Sequence, residues 1–318
     1  MSASTTSPGP AGRPALALLS LRRRRRKQET LEADRTLISD NDLRVPGTRV
    51  AVRVWKSVFL VILLLVGLYP LFWLTVAATS TTQDTLRDPL GVWGEGFHPE
   101  NLVVAWNRIQ IGLYTGNTFI MALGTTFFML VVSLTGAYVL AVLRPKYAKL
   151  LDVVVMATLF VPGVISLVPL YLTIIDLRII DTWWAVWLPG AVSAFNVLIV
   201  KQYLLSIPGE LFEAAKIDGA GAFRVFWYIV MPMVRPILGV VALLTFIASW
   251  RDFLWPLLAL PSPDRRPLSV AIALTERTTE LSLAMAGMLI ATVLPIVLFL
   301  VFQKQFLSGV SSTGSVKG

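Results

Sequence analysis

The sequence predicts an all-α polytopic membrane protein, six transmembrane helices with both termini cytoplasmic. Three observations carry that expectation. The 318 residues are 55% hydrophobic and only 15% charged, where a soluble domain carries roughly 25% charged residues. Segments 58–78, 117–143, 153–175, 182–200 and 281–303 contain no Asp, Glu, Lys or Arg, and 236–260 is broken only by Arg251 and Asp252. A hydrocarbon crossing needs about 20 apolar residues in a helix, so six runs qualify. Finally, of the 28 Lys and Arg residues, 21 fall before the first run, in 144–149, in 201–235 and after the last run. The alternate loops hold only Arg87, Arg108, Arg178, Arg265, Arg266 and Arg277. The positive-inside rule places the basic segments in the cytoplasm.

Taken in order, residues 1–54 form a cytoplasmic tail. Its Ser/Thr/Pro/Gly-rich start (SASTTSPGPAG) cannot build a core and is expected to be partly disordered. The LRRRRRK run at 21–27 suits orientation and attraction to anionic lipid rather than nucleic acid. The membrane domain occupies 55–304, with spans at about 58–78, 117–143, 153–175, 182–202, 236–260 and 281–303, and 305–318 is a cytoplasmic tail. Arg53 and Lys56 make the first span its own uncleaved anchor. The external loop 80–112 mixes acids, amides, Trp93 and Trp106, which suits a docking surface or an interfacial helix with aromatic anchors. Pro162, Pro169, Pro189 and Pro295 lie inside spans and read equally as kinks or as hinges. Gly124, Gly136, Ala137, Ala284 and Gly287 allow close helix approach.

Chemistry-bearing clusters are few. The chain has no Cys, and its one His, His98, lies in a polar loop. No catalytic residue or metal site is expected. There is no G-x-x-x-x-G-K-[ST] phosphate loop, so ATP and Mg would have to be bound by another chain. Arg251 and Asp252 are charges in a span, which marks a functional position by default. A structural pair near an external gate is preferred over solute contact. Trp250 and Trp255 flank them and read as sugar-stacking faces or as an aromatic belt.

The cytoplasmic segment 205–233 is the most informative. Ser206 is placed to cap a helix and Pro208 to fill its first turn. Leu211, Ala214, Ala215 and Asp218 fall on one helical side, and Gly219 and Gly221 then break the helix by adopting positive φ. A second amphipathic stretch, 222–230, carries Phe223, Phe226, Trp227 and Tyr228 and ends at Pro232 like an interfacial helix. The segment reads as a knob for a partner, with Glu213 offering a carboxylate, or as a helix packed on its own bundle.

Glu213-Ala214-Ala215, three residues, Gly219, nine residues and Ile229-Val230-Met231-Pro232 resemble the EAA loop (E-A-A-x3-G-x9-I-x-L-P) of ABC importer permeases, with Met231 in place of Leu. GNTFIMAL at 116–123, LVPLYLTIIDLRIIDTWWAVWLP at 167–189, SWRDFLWPLL at 249–258 and the tail QKQFLSGVSSTGSVKG narrow the resemblance to the carbohydrate type, similar to the shorter membrane subunit of the maltose transporter. It covers about residues 55–318. The family usually has Asn at position 251, where this chain has Arg.

The resemblance implies a type I importer permease fold and a multi-pass location in the plasma membrane. Glu213, Ala214, Ala215, Asp218, Gly219, Gly221 and Pro232 would build the helix and turn that dock in an ATPase subunit. Gly309, Gly314, Lys317 and Gly318 would belong to a tail touching the ATPases. Asn117, Trp250, Arg251, Asp252 and Trp255 would lie along the pathway or its gate. Expected partners are a second, homologous permease, two ATPase subunits and an extracytoplasmic solute-binding protein, in the bilayer and without nucleic acid. The expected function is a non-catalytic permease subunit carrying a sugar or oligosaccharide. The alternatives are a non-sugar solute such as a polyol or glycerol phosphate, and a secondary transporter, which the absence of an internal repeat and of further buried charges disfavours.

Overall fold

The computed structural model describes residues 46–275 and 279–314. The chain divides into two compact units, 1–70 and 71–318. The described part of the first unit lies in α1 (Pro46–Ala78), whose apolar side chains from Val54 to Pro70 are exposed. Lipid is the solvent such a surface suits.

In the second unit, α2 (Thr82–Arg87) and α3 (Glu100–Arg108) precede α4 (Ile111–Leu143), and the chain continues through α5 (Ala148–Thr158), α6 (Leu167–Asp176), α7 (Trp184–Ala191), α8 (Ala194–Leu205) and α9 (Gly209–Ile217). Then follow α10 (Ala222–Arg251), α11 (Leu254–Ala259), α12 (Leu268–Thr275) and α13 (Leu281–Gly314). Every regular element among the described residues is helical. α1, α4 and α10 are each long and apolar enough to cross a membrane, and α7 with α8 forms a fourth candidate bent by 45°.

α4 is the central post. It packs against α7, α8 and α10, and α10 also packs against α13. Small residues set these approaches. A Cβ added at Gly124 would lie 2.2 Å from the Trp187 indole, and one at Gly190 would lie 2.6 Å from Thr125 Cγ2. At Gly287 it would meet Ile109 Cδ1 at 2.9 Å, whereas Gly136 meets Val197 only at an ordinary 3.5 Å. Ala137 and Ala284 are buried.

Prolines divide two of the expected spans. In 153–175 the helix stops at Thr158. Residues 159–166, around Pro162 and Gly163, run through short turns before α6 begins. Proline disfavours helical geometry in the residue before it and cannot donate, so an apolar run continuous in composition is not continuous as a helix. In 182–202, Pro189 precedes the break between α7 and α8 at Val192 and Ser193. Ser193 then caps α8 by accepting from Asn196 N at 3.3 Å.

Segment 222–230 is not a separate interfacial helix: it is the first part of the 30-residue α10. Phe226–Val230 widens into a π-turn just before Pro232. A proline ring clashes with the carbonyl four residues back, and a widened turn accommodates it without ending the helix.

Candidate functional site

Two regions hold the residues singled out above. The first is the loop helix α9. Its start is set by Pro208, in extended geometry and without side-chain capping. Ser206 does not cap it; its hydroxyl donates back to Tyr203 O at 2.7 Å. The helix closes in a Schellman motif. Ala220 N donates to Ala215 O at 2.9 Å, Gly219 N donates to Lys216 O at 3.1 Å, and Gly219 sits at φ +71°. That conformation favours glycine. Asp218 is the C-cap, outside the helix proper. Gly221, by contrast, has φ −69° and ψ 164°, open to any residue, so only Gly219 breaks the helix by left-handed geometry.

The buried side of α9 also differs from the expected one. Ala215 is buried and Phe212 and Ala220 pack with it, while Leu211, Glu213, Ala214 and Asp218 are exposed. Among the described residues Glu213 has no ion-pair partner. Also exposed are Ile217 on the same helix, at 86%, and Phe223 and Tyr228 at the start of α10, each at 78%. Beneath this surface the loop is fixed to the bundle. Tyr138 Oη donates to Ala222 O at 2.8 Å, and its ring meets Phe226 edge-on at 5.1 Å. Tyr138 directly precedes the π-turn Val139–Leu143 that ends α4, and Phe226 opens the π-turn of α10. Pro232 is exposed on α10. Gly309 and Gly314 are helical positions of α13, while Lys317 and Gly318 lie outside the described residues.

The second region is a cavity of about 830 Å³ walled by α4, α7, α8, α10 and the start of α11. Arg251, Asp252 and Trp255 line it, with Thr125, Ser193, Asn196, Thr245 and Ser249. Arg251 and Asp252 do not form the expected pair. α10 ends at Arg251 and the chain turns extended at Asp252 (φ −65°, ψ 130°). Among the described residues neither side chain has an ion-pair partner. Trp250 does not line the cavity. It is buried, with Phe119 edge-on at 5.0 Å and Phe246 at 5.7 Å.

Trp255 has a role that its position among apolar residues does not announce. Pro189 has no N–H, so the Ala185 carbonyl lacks its helical donor. Trp255 Nε1 provides one from α11 at 3.0 Å. Pro256 leaves the Asp252 carbonyl in the same state, and Ser269 Oγ donates to it at 2.7 Å. Both prolines are therefore splinted by another element, which favours fixed kinks over free hinges there. Asn196 and Thr245, joined at 3.2 Å, were also missed. Uncharged polar residues within apolar runs give no signal unless each is asked for its partner.

Asn117 belongs to neither wall. Buried at the start of α4, its Nδ2 donates to Asp264 O at 2.8 Å and to Arg266 O at 3.0 Å. Thr118 Oγ1 accepts from Leu268 N at 2.8 Å, so two consecutive side chains hold segment 264–268. Asp181 holds the same segment from the other side. Ser262 Oγ donates to its carboxylate at 2.6 Å and Arg265 at 2.9 Å. Burial works to raise the Asp181 carboxyl, but the hydrogen bonds from Ser262 and the charge of Arg265 outweigh it and hold it below the usual carboxylate value. In segment 79–112, His98 pairs with Glu100 at 2.7 Å and its backbone N donates to Thr79 O at 2.7 Å. The backbone amide of Glu100 and the neighbouring His98 lower the Glu100 carboxyl.

Comparison with known proteins follows the same outline. Residues 130–311 match the model of the binding-protein-dependent transport system inner membrane component. The probable ABC transporter permease protein YurM of Bacillus subtilis is 34% identical over 83% of this chain and 88% of its own length. The arabinooligosaccharide transport system permease protein AraQ of Halalkalibacterium halodurans is 32% identical over 80% and 92%. The sn-glycerol-3-phosphate transport system permease protein UgpE of Yersinia pestis is 30% identical over 80% and 95%. In fold, the chain is similar to one from the crystal structure of a bacterial ABC transporter that imports the acidic polysaccharide alginate, with TM-score 0.69, 21% identity and coverage of 85% of this chain and 100% of that one. The chain belongs to the family of binding-protein-dependent transport system inner membrane components, the permease subunits of ABC importers.

Proposed function

We propose that this permease forms half of a solute pathway for a sugar or oligosaccharide and takes its energy from ATPase subunits docked on α9. The observation that carries the coupling role is the form of α9. It is a nine-residue helix closed by a left-handed glycine, anchored through Phe212, Ala215 and Tyr138, with a free carboxylate and large exposed apolar side chains facing away from the bundle. Exposed apolar groups clustered on a loop mark a surface for another protein. In this reading the loop and both termini are cytoplasmic, as the distribution of Lys and Arg implies. The chain crosses the membrane six times, with 148–176 and 184–205 each a broken span. ATP and Mg reside on two ATPase subunits; a second, homologous permease closes the open side of the cavity; and an extracytoplasmic binding protein delivers solute. The permease is a multi-pass protein of the plasma membrane.

The sugar assignment is supported by the carbohydrate-type motifs and by relatives such as AraQ. A polyol or glycerol phosphate is the second reading, favoured by the likeness to UgpE. Glu213→Lys reverses the exposed carboxylate in the middle of α9, and Gly219→Pro forbids the left-handed turn. Either variant is expected to reach the membrane in normal amount yet lose ATPase co-purification and transport. Undiminished ATPase recovery and transport in both would sink the coupling role.

A further inference from the structure

We infer that the cavity receives an anionic solute, a carboxylated or phosphorylated sugar or polyol, whose negative group is held by Arg251; this rests on the permease reading above and names its substrate class. Arg251 is the last residue of α10 and lies on the cavity wall. Among the described residues it has no ion-pair partner. Asp152 pairs with Lys201, Asp181 pairs with Arg265, and the adjacent Asp252 forms no ion pair with Arg251. A guanidinium exposed on a cavity wall at the end of a candidate span, without a counter-charge, marks a place for an anion to dock. Its planar fork suits carboxylate and phosphate equally.

Two further features of the same cavity point the same way. Thr125 is only 6% exposed, and its hydroxyl has no hydrogen-bond partner. A buried hydroxyl without a partner is costly in an empty site and can be satisfied by a bound acceptor. The twelve-residue α8 opens onto the cavity through Ser193 and Asn196, presenting the positive end of its dipole.

The test uses the complete importer in liposomes, with solute-stimulated ATP hydrolysis as the readout. The probes are digalacturonate against its methyl ester and glycerol 3-phosphate against glycerol, which separate carboxylate from phosphate. At least one acid is expected to stimulate about tenfold or more above its neutral counterpart, the scale of one charge-assisted hydrogen-bonded contact. Arg251→Gln is expected to raise KM for that acid by a similar factor and abolish the preference, while Arg251→Lys retains part of it. Equal stimulation by neutral counterparts overturns the proposal and leaves the importer reading intact. So does a preference that survives Arg251→Gln. Loss of assembly in both Arg251 variants assigns the residue to structure and overturns it as well. A complex stimulated by none of the four probes overturns the proposal, while the α9 variants test the importer reading separately.

Discussion

The loop at α9 and segment 259–268 are both short connections between helices, yet they are built on opposite plans. Segment 259–268 is held by side chains. Asn117, Thr118, Asp181 and Arg265 all reach its backbone or its neighbours, and Asp181 N also donates to Ala259 O at 2.8 Å. The α9 loop is held by backbone capping at Gly219 and by packing beneath it, and its polar side chains are left over. A connection that supplies its own partners is rigid in the isolated chain. One that leaves Glu213, Ile217 and Phe223 outward is complete only against another surface. Substitutions in the first should therefore cost stability, and substitutions in the second should cost coupling with little change in stability.

The largest stability effect is expected at Asn117. Asn117→Ala removes both hydrogen bonds to the carbonyls of Asp264 and Arg266 at a buried position. Leaving such groups unpaired costs about 2–3 kcal/mol. Thermal unfolding of the purified protein in detergent should show it, with no comparable loss for Glu213→Ala. Equal destabilisation by the two would erase the contrast. At the α9 loop itself a smaller effect separates two glycines. Gly219→Ala forces a side chain into φ +71°, at a cost of about 1 kcal/mol. Gly221→Ala stays in extended geometry with nothing within 4 Å of the new Cβ and should change stability by less than about 0.5 kcal/mol. Matching losses would mean that the turn is set by something other than backbone handedness.

The α9 loop was readable in the sequence because its signals are local. Gly219 sits one residue past the C-cap, and Glu213 is charged within an apolar chain. The burial of Ala215 rather than Ala214 was not readable, since it depends on Val225 and Tyr138 arriving from other elements. The cavity was half readable. Charge flagged Arg251 and Asp252, but the geometry that separates them depends on a helix end at Asp252. Trp255 answers a proline 66 positions earlier in the chain. Composition likewise gives the length of an apolar run but not where Pro162 or Pro189 divides it, because the residues on both sides remain equally apolar.

The smallest expected effect is electrostatic and tests whether segment 259–268 really depends on charge. The Asp181 carboxyl lies below its ordinary value of 3.8 in the folded chain. The unfolded chain then binds a proton more readily, so the group contributes stability that is fully present above about pH 4. That contribution is lost as the pH falls through 3.8 toward the lower folded value. Asp181→Asn keeps the shape but discards the charge, so the variant should be less stable than the parent near neutral pH. The gap should narrow on acidification below pH 4, as followed by the unfolding midpoint in detergent across a pH series. Arg265→Gln should mimic it in part, since the hydrogen bonds from Ser262 remain. A gap that stays constant from neutral to acid pH would show that Asp181 acts through its shape and hydrogen bonds alone. The distinction between the two connections would then rest on Asn117 and Thr118, which carry no charge and should be indifferent to pH.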